Sequence, residues 1–360
     1  MITKPTLILD ESKCRKNIET MILKARNAKV DFRPHFKTHQ SLEIGRWYKE
    51  FGVDKITVSS LDMGMYFSKE WNDITVAFPV NILEIDTINE LAEKIHLNLL
   101  IESVDTVDYL KKHLKHNVGF FIKIDIGYNR TGIHPENIND IDKILAVSDS
   151  DERMQFKGFL GHAGHSYKCR TNEEIMSVHE KSILLIAPLK KLYQNRYSEL
   201  IISTGDTPSC CVAADFSGVD EIRPGNFVFF DLTQNQIGSC ETRQIAVAMA
   251  CPVVAIHRER KEIVVYGGGV HFSKDRLEDE KSGTIFGQVV EGNENAWGSA
   301  IPNMYIKSLS QEHGIIAVPE SRISDYKIGD VLMVLPVHAC LAGNLMKEYQ
   351  TITSKIISRL

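Results

Sequence analysis

The sequence predicts an α/β protein: a (β/α)8 TIM barrel followed by a mostly-β domain. Two observations carry this. First, short continuous apolar runs alternate with amphipathic helical stretches through the first two thirds of the chain. Runs apolar on both faces are what a parallel sheet covered by helices requires. Second, helical periodicity fades after about Asp231 and strand-like runs take over.

The barrel strands are expected at 32–37, 56–59, 74–78, 97–101, 120–125, 156–161, 200–203 and from 221 into 230. Amphipathic stretches at 87–95, 107–114, 137–147 and 173–193 read as helices between them. Ahead of the barrel, residues 6–9 read as a strand. Asp10 then reads as an N-cap for a helix with Cys14, Ile18, Ile22 and Ala25 on one face. A doubly wound open sheet is the alternative arrangement, but no GxGxxG follows an early strand. Strands of the second domain are expected at 245–250, 253–257, 262–266, 315–318 and 331–335, with a last one near 351–357. Turn residues separate them, including Gly267-Gly268-Gly269 and 293–295.

Composition narrows the class. The 360 residues are 43% hydrophobic and 25% charged, with a net charge of −5, as in an ordinary globular enzyme. No long basic run points to nucleic acid, and no apolar run reaches the roughly 18 residues of a membrane span. No signal-peptide core follows residues 1–5, and seven cysteines lie scattered without CxxC pairs. That pattern suits free thiols in a reducing cytoplasm.

The chemistry-bearing segments fall at predicted strand ends, where a barrel carries its active site. In Arg33-Pro34-His35-Phe36-Lys37-Thr38-His39 one lysine sits among cationic residues. Such crowding disfavours its ammonium form and leaves an amine that can condense with an aldehyde, as in pyridoxal phosphate enzymes. A surface lysine on a basic strand end is the simpler reading of this heptad alone. The segment 123–132 carries Arg130 between glycines, a planar fork for a phenolate or carboxylate, or else a plain surface turn. The segment 161–167 offers His162, His165 and Tyr167 among small residues that let a flat ligand approach. The segment 203–209, Ser-Thr-Gly-Asp-Thr-Pro-Ser, suits a phosphate, with Arg223-Pro224-Gly225-Asn226 placed to complete the site. Further on, His338-Ala339-Cys340 puts an imidazole and a thiol on one face of an extended chain, half of a zinc site.

Together these ordered segments, from Arg33 to Asn344, resemble the D-threonine aldolase and D-serine dehydratase family. These are alanine-racemase-like, fold-type III pyridoxal phosphate enzymes. The resemblance implies that Lys37 carries the cofactor and Arg130 contacts its phenolic oxygen. It implies that His162 packs on the ring, with Tyr167 in the same segment. Thr204, Gly205, Thr207, Gly225 and Asn226 would hold the phosphate, and Arg223 would lie near the ring nitrogen. His338 and Cys340 match the HxC form of the family's metal pair. A thiolate ligand favours zinc, with manganese or magnesium as alternatives. The segment 310–314 matches the family's SEEHG, with Gln311 in place of glutamate, and Ala342 stands where relatives often carry threonine.

The resemblance further implies a barrel over 10–235, a β domain over 236–360 completed by residues 1–9, and a homodimer. The expected activity is D-serine-type β-elimination, with Lys37 as base. D-threonine-type retro-aldol cleavage, with His165 as base, is the alternative. An amino-acid racemase would need no metal, and a non-catalytic cofactor-binding protein would need no β domain; residues 236–360 and the HxC pair count against both.

Overall fold

The computed structural model describes residues 2–279, 282–293 and 296–360. It resolves into two compact units, 20–225 and 1–19 joined with 226–360.

In the first unit eight parallel strands form one sheet. In chain order they are Asp31–Phe32, Lys55–Val58, Asp73–Pro79, His96–Ile101, Val118–Lys123, Met154–Leu160, Ile201–Thr204 and Glu221–Ile222. Neighbours in sequence pair in order around the sheet, and the first strand pairs with the last. A bridge between His35 and Thr57 closes the ring. The central strands are apolar on both faces, as Val-Gly-Phe-Phe-Ile-Lys at 118–123 shows with all six residues buried. Residues facing inward and outward are both removed from water, so no alternation survives. Helices Ile85–Lys94, Val104–His113, Ile138–Ser148 and Asn172–Tyr193 fall on the predicted periodic stretches. Ser103, Asn137 and Thr171 cap the last three through side-chain oxygens.

The charge of Arg33 is paired inside the barrel. The buried Arg33 guanidinium contacts Glu221 at 2.8 Å and Asp73 at 2.5 Å, and Lys55 approaches Glu221 at 3.5 Å. Burial pulls the Arg33 pKa down, but Glu221 and Asp73 outweigh it and hold the group charged. Arg33 is therefore a structural ion-pair partner.

In the second unit the ladder also returns on itself. Val247–His257 pairs with Val331–Pro336 along its first half and with Glu262–Tyr266 along its second. The circuit continues through His313–Ala317, Ala296–Leu309 and Gly287–Asn293 back to Val331–Pro336. Thr6–Leu9 adds to the other side of Val247–His257, and Glu348–Thr351 and Ile356–Ser358 extend the sheet beyond it.

Four expectations need correction. The first barrel strand stops after two residues, because Pro34 has no N–H to donate, and Lys37 lies in the next turn. The last strand stops at Ile222, since Pro224 and Gly225 break it; the chain continues as a loop and a 3₁₀ turn at Asn226–Val228. The two strands expected at 245–250 and 253–257 are one, Val247–His257, with a bulge between Val253 and Ala255. The expected C-terminal strand is two short antiparallel ones. Two long strands, Gly287–Asn293 and Ala296–Leu309, went unpredicted because Pro302 and the polar run around it mask their alternation. Of the turn expected at 293–295, positions 294 and 295 lie outside the described residues.

Candidate active site

Around Lys37 the chain is clamped while its side chain reaches solvent. Phe36 and Thr38 are fully buried on either side, and Lys37 is exposed. The Phe36 ring sits among His39, Tyr48, Phe67 and Trp71, with centroids 4.4–5.1 Å away. Such aromatic packing fixes the backbone on which Lys37 stands. The Lys37 N–H donates to His35 Nδ1 at 3.3 Å, which sets His35 as a neutral acceptor there. Burial, then Lys37 and Arg223, hold the His35 pKa well below its ordinary value.

His162 lies just beyond the strand Met154–Leu160, and its Nδ1 is 3.2 Å from the Gly205 carbonyl, which a neutral ring meets by donating Nδ1–H. Burial first, then Lys37, Lys123 and Arg223, depress its pKa well below the ordinary value. Lys37, His35, His162 and Arg223 thus share one electrostatic neighbourhood. Arg223 acts on both histidines that Lys37 acts on, whereas Arg33, expected there from the heptad, is committed to Glu221 and Asp73.

Arg223 is itself fixed. Its Nε donates to Ser203 Oγ at 2.8 Å and Nη2 to the Gly161 carbonyl at 2.5 Å. Ser203 Oγ donates its own proton to Glu221 at 2.7 Å, so the three groups form a directional chain. Burial lowers the Arg223 pKa to about 10, partly offset by Glu221.

The loop after Ile201–Thr204 has the form of an anion cradle. Gly205 has φ +131°, and a Cβ there would stand 2.8 Å from the Arg223 nitrogen. Asp206 caps the helix Thr207–Val212 by accepting from Ser209 N at 2.9 Å and also accepts from Ser166 Oγ at 2.6 Å. Two hydroxyls, Thr207 Oγ1 and Ser209 Oγ, are buried with no partner among the described residues. Buried hydroxyls are rarely left so, and a phosphate would satisfy both. Gly225 packs against His35, whose carbonyl oxygen would lie 2.8 Å from any Cβ.

Arg130 is exposed on the loop after Val118–Lys123, whose turn Asp125 shapes by accepting from Gly127 N and Asn129 N at 3.0 Å each. Tyr128, which no sequence signal singled out, joins this loop to the next. Arg130 stands 4.8 Å over its ring, His165 stacks on it at 6.2 Å, and His162 meets it edge-on at 6.0 Å. His165 and Tyr167 lie on the 3₁₀ turn Gly164–Lys168. His165 Nδ1 is buried without a partner among the described residues, and burial lowers its pKa. Lys123, at the strand end below, is buried, and burial, with Arg223 and Arg130 adding to it, brings its pKa down to about 7.

The other unit carries the candidate metal pair. His338 is the N-cap residue of the helix Ala339–Leu345, and Cys340 lies in its first turn. His338 Nδ1 lies 2.8 Å from Asp275 Oδ2. Asp231, fully buried, accepts from Asn226 Nδ2, Gln234 N and Ala339 N at 2.7, 2.9 and 2.9 Å. Asn226 Nδ2 also lies 3.4 Å from Cys340 Sγ. Burial lowers the His338 pKa, but Asp275, Cys340 and Asp231 overcome it and raise it to about 11. A spot where neighbours hold a cation this firmly, beside a nitrogen and a sulfur donor, fits a divalent metal. No group of three or more His, Cys, Asp or Glu among the described residues is placed to hold one, so other ligands must come from water or substrate.

Comparison with known proteins decides the family. The family model described as "Alanine racemase, N-terminal domain" matches residues 9–233, and "Putative serine dehydratase domain" matches 246–352. D-serine dehydratase of Dictyostelium discoideum is 31% identical over 98% of this chain and 94% of its own. This chain belongs to the D-serine dehydratase family. D-threo-3-hydroxyaspartate dehydratase of Delftia sp. is 27% identical over 97% of this chain and 94% of its own. A cysteine-to-alanine variant of D-threo-3-hydroxyaspartate dehydratase, solved in its metal-free form, superposes with a TM-score of 0.90 at 25% identity. It covers 100% of this chain and 98% of that one. The alanine-racemase-like fold of this family member is the barrel and β unit described above.

Proposed function

We propose that this protein is a pyridoxal phosphate- and metal-dependent lyase of β-hydroxy-D-amino acids, acting as a D-serine-type dehydratase that yields a keto acid and ammonia. The observation that carries the dehydratase reading is the His338–Cys340 pair, one nitrogen and one sulfur donor with no further protein ligand assembled around them among the described residues. Relatives named D-serine dehydratase at 31% identity and D-threo-3-hydroxyaspartate dehydratase at 27% support it.

Bound pyridoxal phosphate would supply an aldehyde for amines and an electron sink for the charge left at Cα. Lys37 would hold it through Nζ, with the phosphate on Thr204, Gly205, Thr207 and Ser209 and with His162 against its ring. Gly225 and Arg223 border the same region, and Arg130 and Tyr167 close it on the loops after the fifth and sixth strands. The Lys37 amine would take the proton from Cα of a D-amino acid. Its exposed side chain, on a backbone held between buried Phe36 and Thr38, suits that transfer because its anchor is fixed. His35 and His162, held neutral, add no positive charge beside it.

A bound divalent ion, zinc by the softness of the thiolate, would act as a Lewis acid that turns the β-hydroxyl into a better leaving group. His338 and Cys340 would hold it. Loss of hydroxide from Cβ gives an enamine that water converts to keto acid and ammonia.

His165 supports a second reading. A half-buried imidazole with an unpartnered Nδ1 could take the β-hydroxyl proton and release glycine and an aldehyde, as in D-threonine aldolase, which is 20% identical to this chain. Incubation with D-serine, D-threonine and D-threo-3-hydroxyaspartate, with zinc or manganese added, separates the two. Keto acid with ammonia supports elimination, and glycine with aldehyde supports the aldolase. Neither product overturns both.

The remaining assignments also rest on the family resemblance. We place the protein in the cytoplasm, supported by seven free cysteines and by the lack of any described helix long and apolar enough to cross a membrane. We assign it a homodimeric state, which light scattering would check.

A further inference from the structure

We propose that Asp275 is a positioning residue for the metal: its carboxylate holds His338 through Nδ1 and presents Nε2 as the nitrogen that binds the ion. This inference rests on the metal site put forward under Proposed function and adds a residue that no sequence motif pointed to.

Four observations carry it. The His338 Nδ1 to Asp275 Oδ2 distance is 2.8 Å, a strong hydrogen bond that leaves no room for a metal on that nitrogen. Asp275 is held in turn: its N–H donates to Ser273 Oγ at 3.2 Å, and Ser273 adopts φ +67°, a backbone state a serine takes only when its surroundings impose it. The second carboxylate near His338, the buried Asp231, is committed to Asn226 Nδ2 and two backbone N–H groups. Asp275 is thus the carboxylate available to set the tautomer. Finally, Asp275 and the two donors are not grouped so that all three could bind one ion, which separates an orienting carboxylate from a third ligand.

The physical consequence is threefold. An imidazole whose Nδ1–H is pinned has its ring plane fixed. It also carries the tautomer with the lone pair on Nε2 and becomes a stronger donor because the carboxylate pushes charge into the ring. Such outer carboxylates are worth roughly 10–100-fold in metal affinity. Cys340 is supported differently, with the Asn226 amide 3.4 Å from its sulfur.

The test uses the metal-stripped full chain and zinc(II) in competition with a chromogenic chelator. Asp275→Ala should weaken zinc binding by roughly 10–100-fold. Asp275→Asn keeps an acceptor oxygen and should fall between Ala and the unaltered protein. In a His338→Ala background, Asp275→Ala should have no further effect, because its influence runs through the imidazole. The thermal midpoint of metal-stripped Asp275→Ala should stay near that of the unaltered protein, since the pair is about a third exposed. In nitrogen-15 spectra of the zinc-loaded protein, His338 should keep its proton on Nδ1 and bind through Nε2, and Asp275→Ala should release that preference. Unchanged zinc affinity in Asp275→Ala overturns the proposal. So does an additive loss in the His338→Ala background, which would make Asp275 a direct ligand. If the unaltered protein takes up no zinc or manganese, the metal reading of the whole site falls, a result distinct from either.

Discussion

The two units build their chemistry in opposite ways. In the barrel, the candidate groups arrive on loops after successive strands, so each sits in a contiguous string of sequence. In the β unit, the two donors His338 and Cys340 are neighbours in sequence, but their supports come from 63 and 114 residues away. A parallel barrel brings every strand end to one rim, so local strings suffice there. In the β unit His338, Asp275 and Asp231 stand on loops and helix N-caps far apart in sequence, and they meet only once the chain has folded. The barrel also fixes its key amine through packing, whereas the β unit fixes its imidazole through a charged hydrogen bond.

On this contrast, the largest effect belongs to Lys37. Lys37→Ala should lower turnover by at least the roughly 10²–10⁴-fold that a positioned base contributes. It should also abolish the cofactor's visible absorption while leaving zinc content intact; persistence of either turnover or colour would break the assignment.

Next comes the clamp under it. Phe36→Ala removes a fully buried ring from the cluster of Tyr48, Phe67 and Trp71 and should cost about 3–5 kcal/mol by chemical unfolding. A loss below about 1 kcal/mol would mean the turn at 36–39 is held by something other than packing.

Lys123 gives a pH-dependent effect. Its folded pKa of about 7 lies below the ordinary lysine value near 10.4, so the unfolded chain binds more protons between them. Stability therefore rises with pH across that window, by about 1.4 kcal/mol per unit for this group alone. Below pH 7 the full penalty of burying the cation applies, and above about 10.4 it vanishes. Lys123→Met should remove that slope, so the stability of the variant relative to the unaltered protein should fall as pH rises from 7 to 10. A gap constant across that range would sink the reading.

The smallest effect belongs to Tyr128. An exposed guanidinium over an aromatic face is worth about 0.5–1 kcal/mol, so Tyr128→Ala should weaken retention of pyridoxal phosphate by roughly two- to fivefold. Tyr128→Phe keeps the face and should behave as the unaltered protein in the same titration. Equal loss in both would shift the role to the phenol hydroxyl.

How far the sequence reached depends on what each residue needed. Alternating apolar runs revealed the barrel because burial on both faces of a parallel sheet leaves a local imprint. Lys37, His162, Thr204 and His338 were visible as residue types in ordered strings. The shortness of the first and last barrel strands was also written there, in Pro34 and Pro224, though the apolar pattern outweighed it. Strand Ala296–Leu309 was hidden because Pro302 breaks the alternation that would reveal it.

What the sequence determined alone was the fold class, the rim on which the amine stands and the pairing of one imidazole with one thiol. Only the tertiary structure decided which charges accompany them. It moved Arg33 into an ion pair with Glu221 and Asp73, tied Arg223 to Ser203 near His35 and His162, and brought Asp275 to His338. The reason is range. Hydrophobic burial repeats every two or four residues and leaves a local pattern. A hydrogen bond or ion pair acts only within a few ångströms, so its partners become legible once the chain has folded.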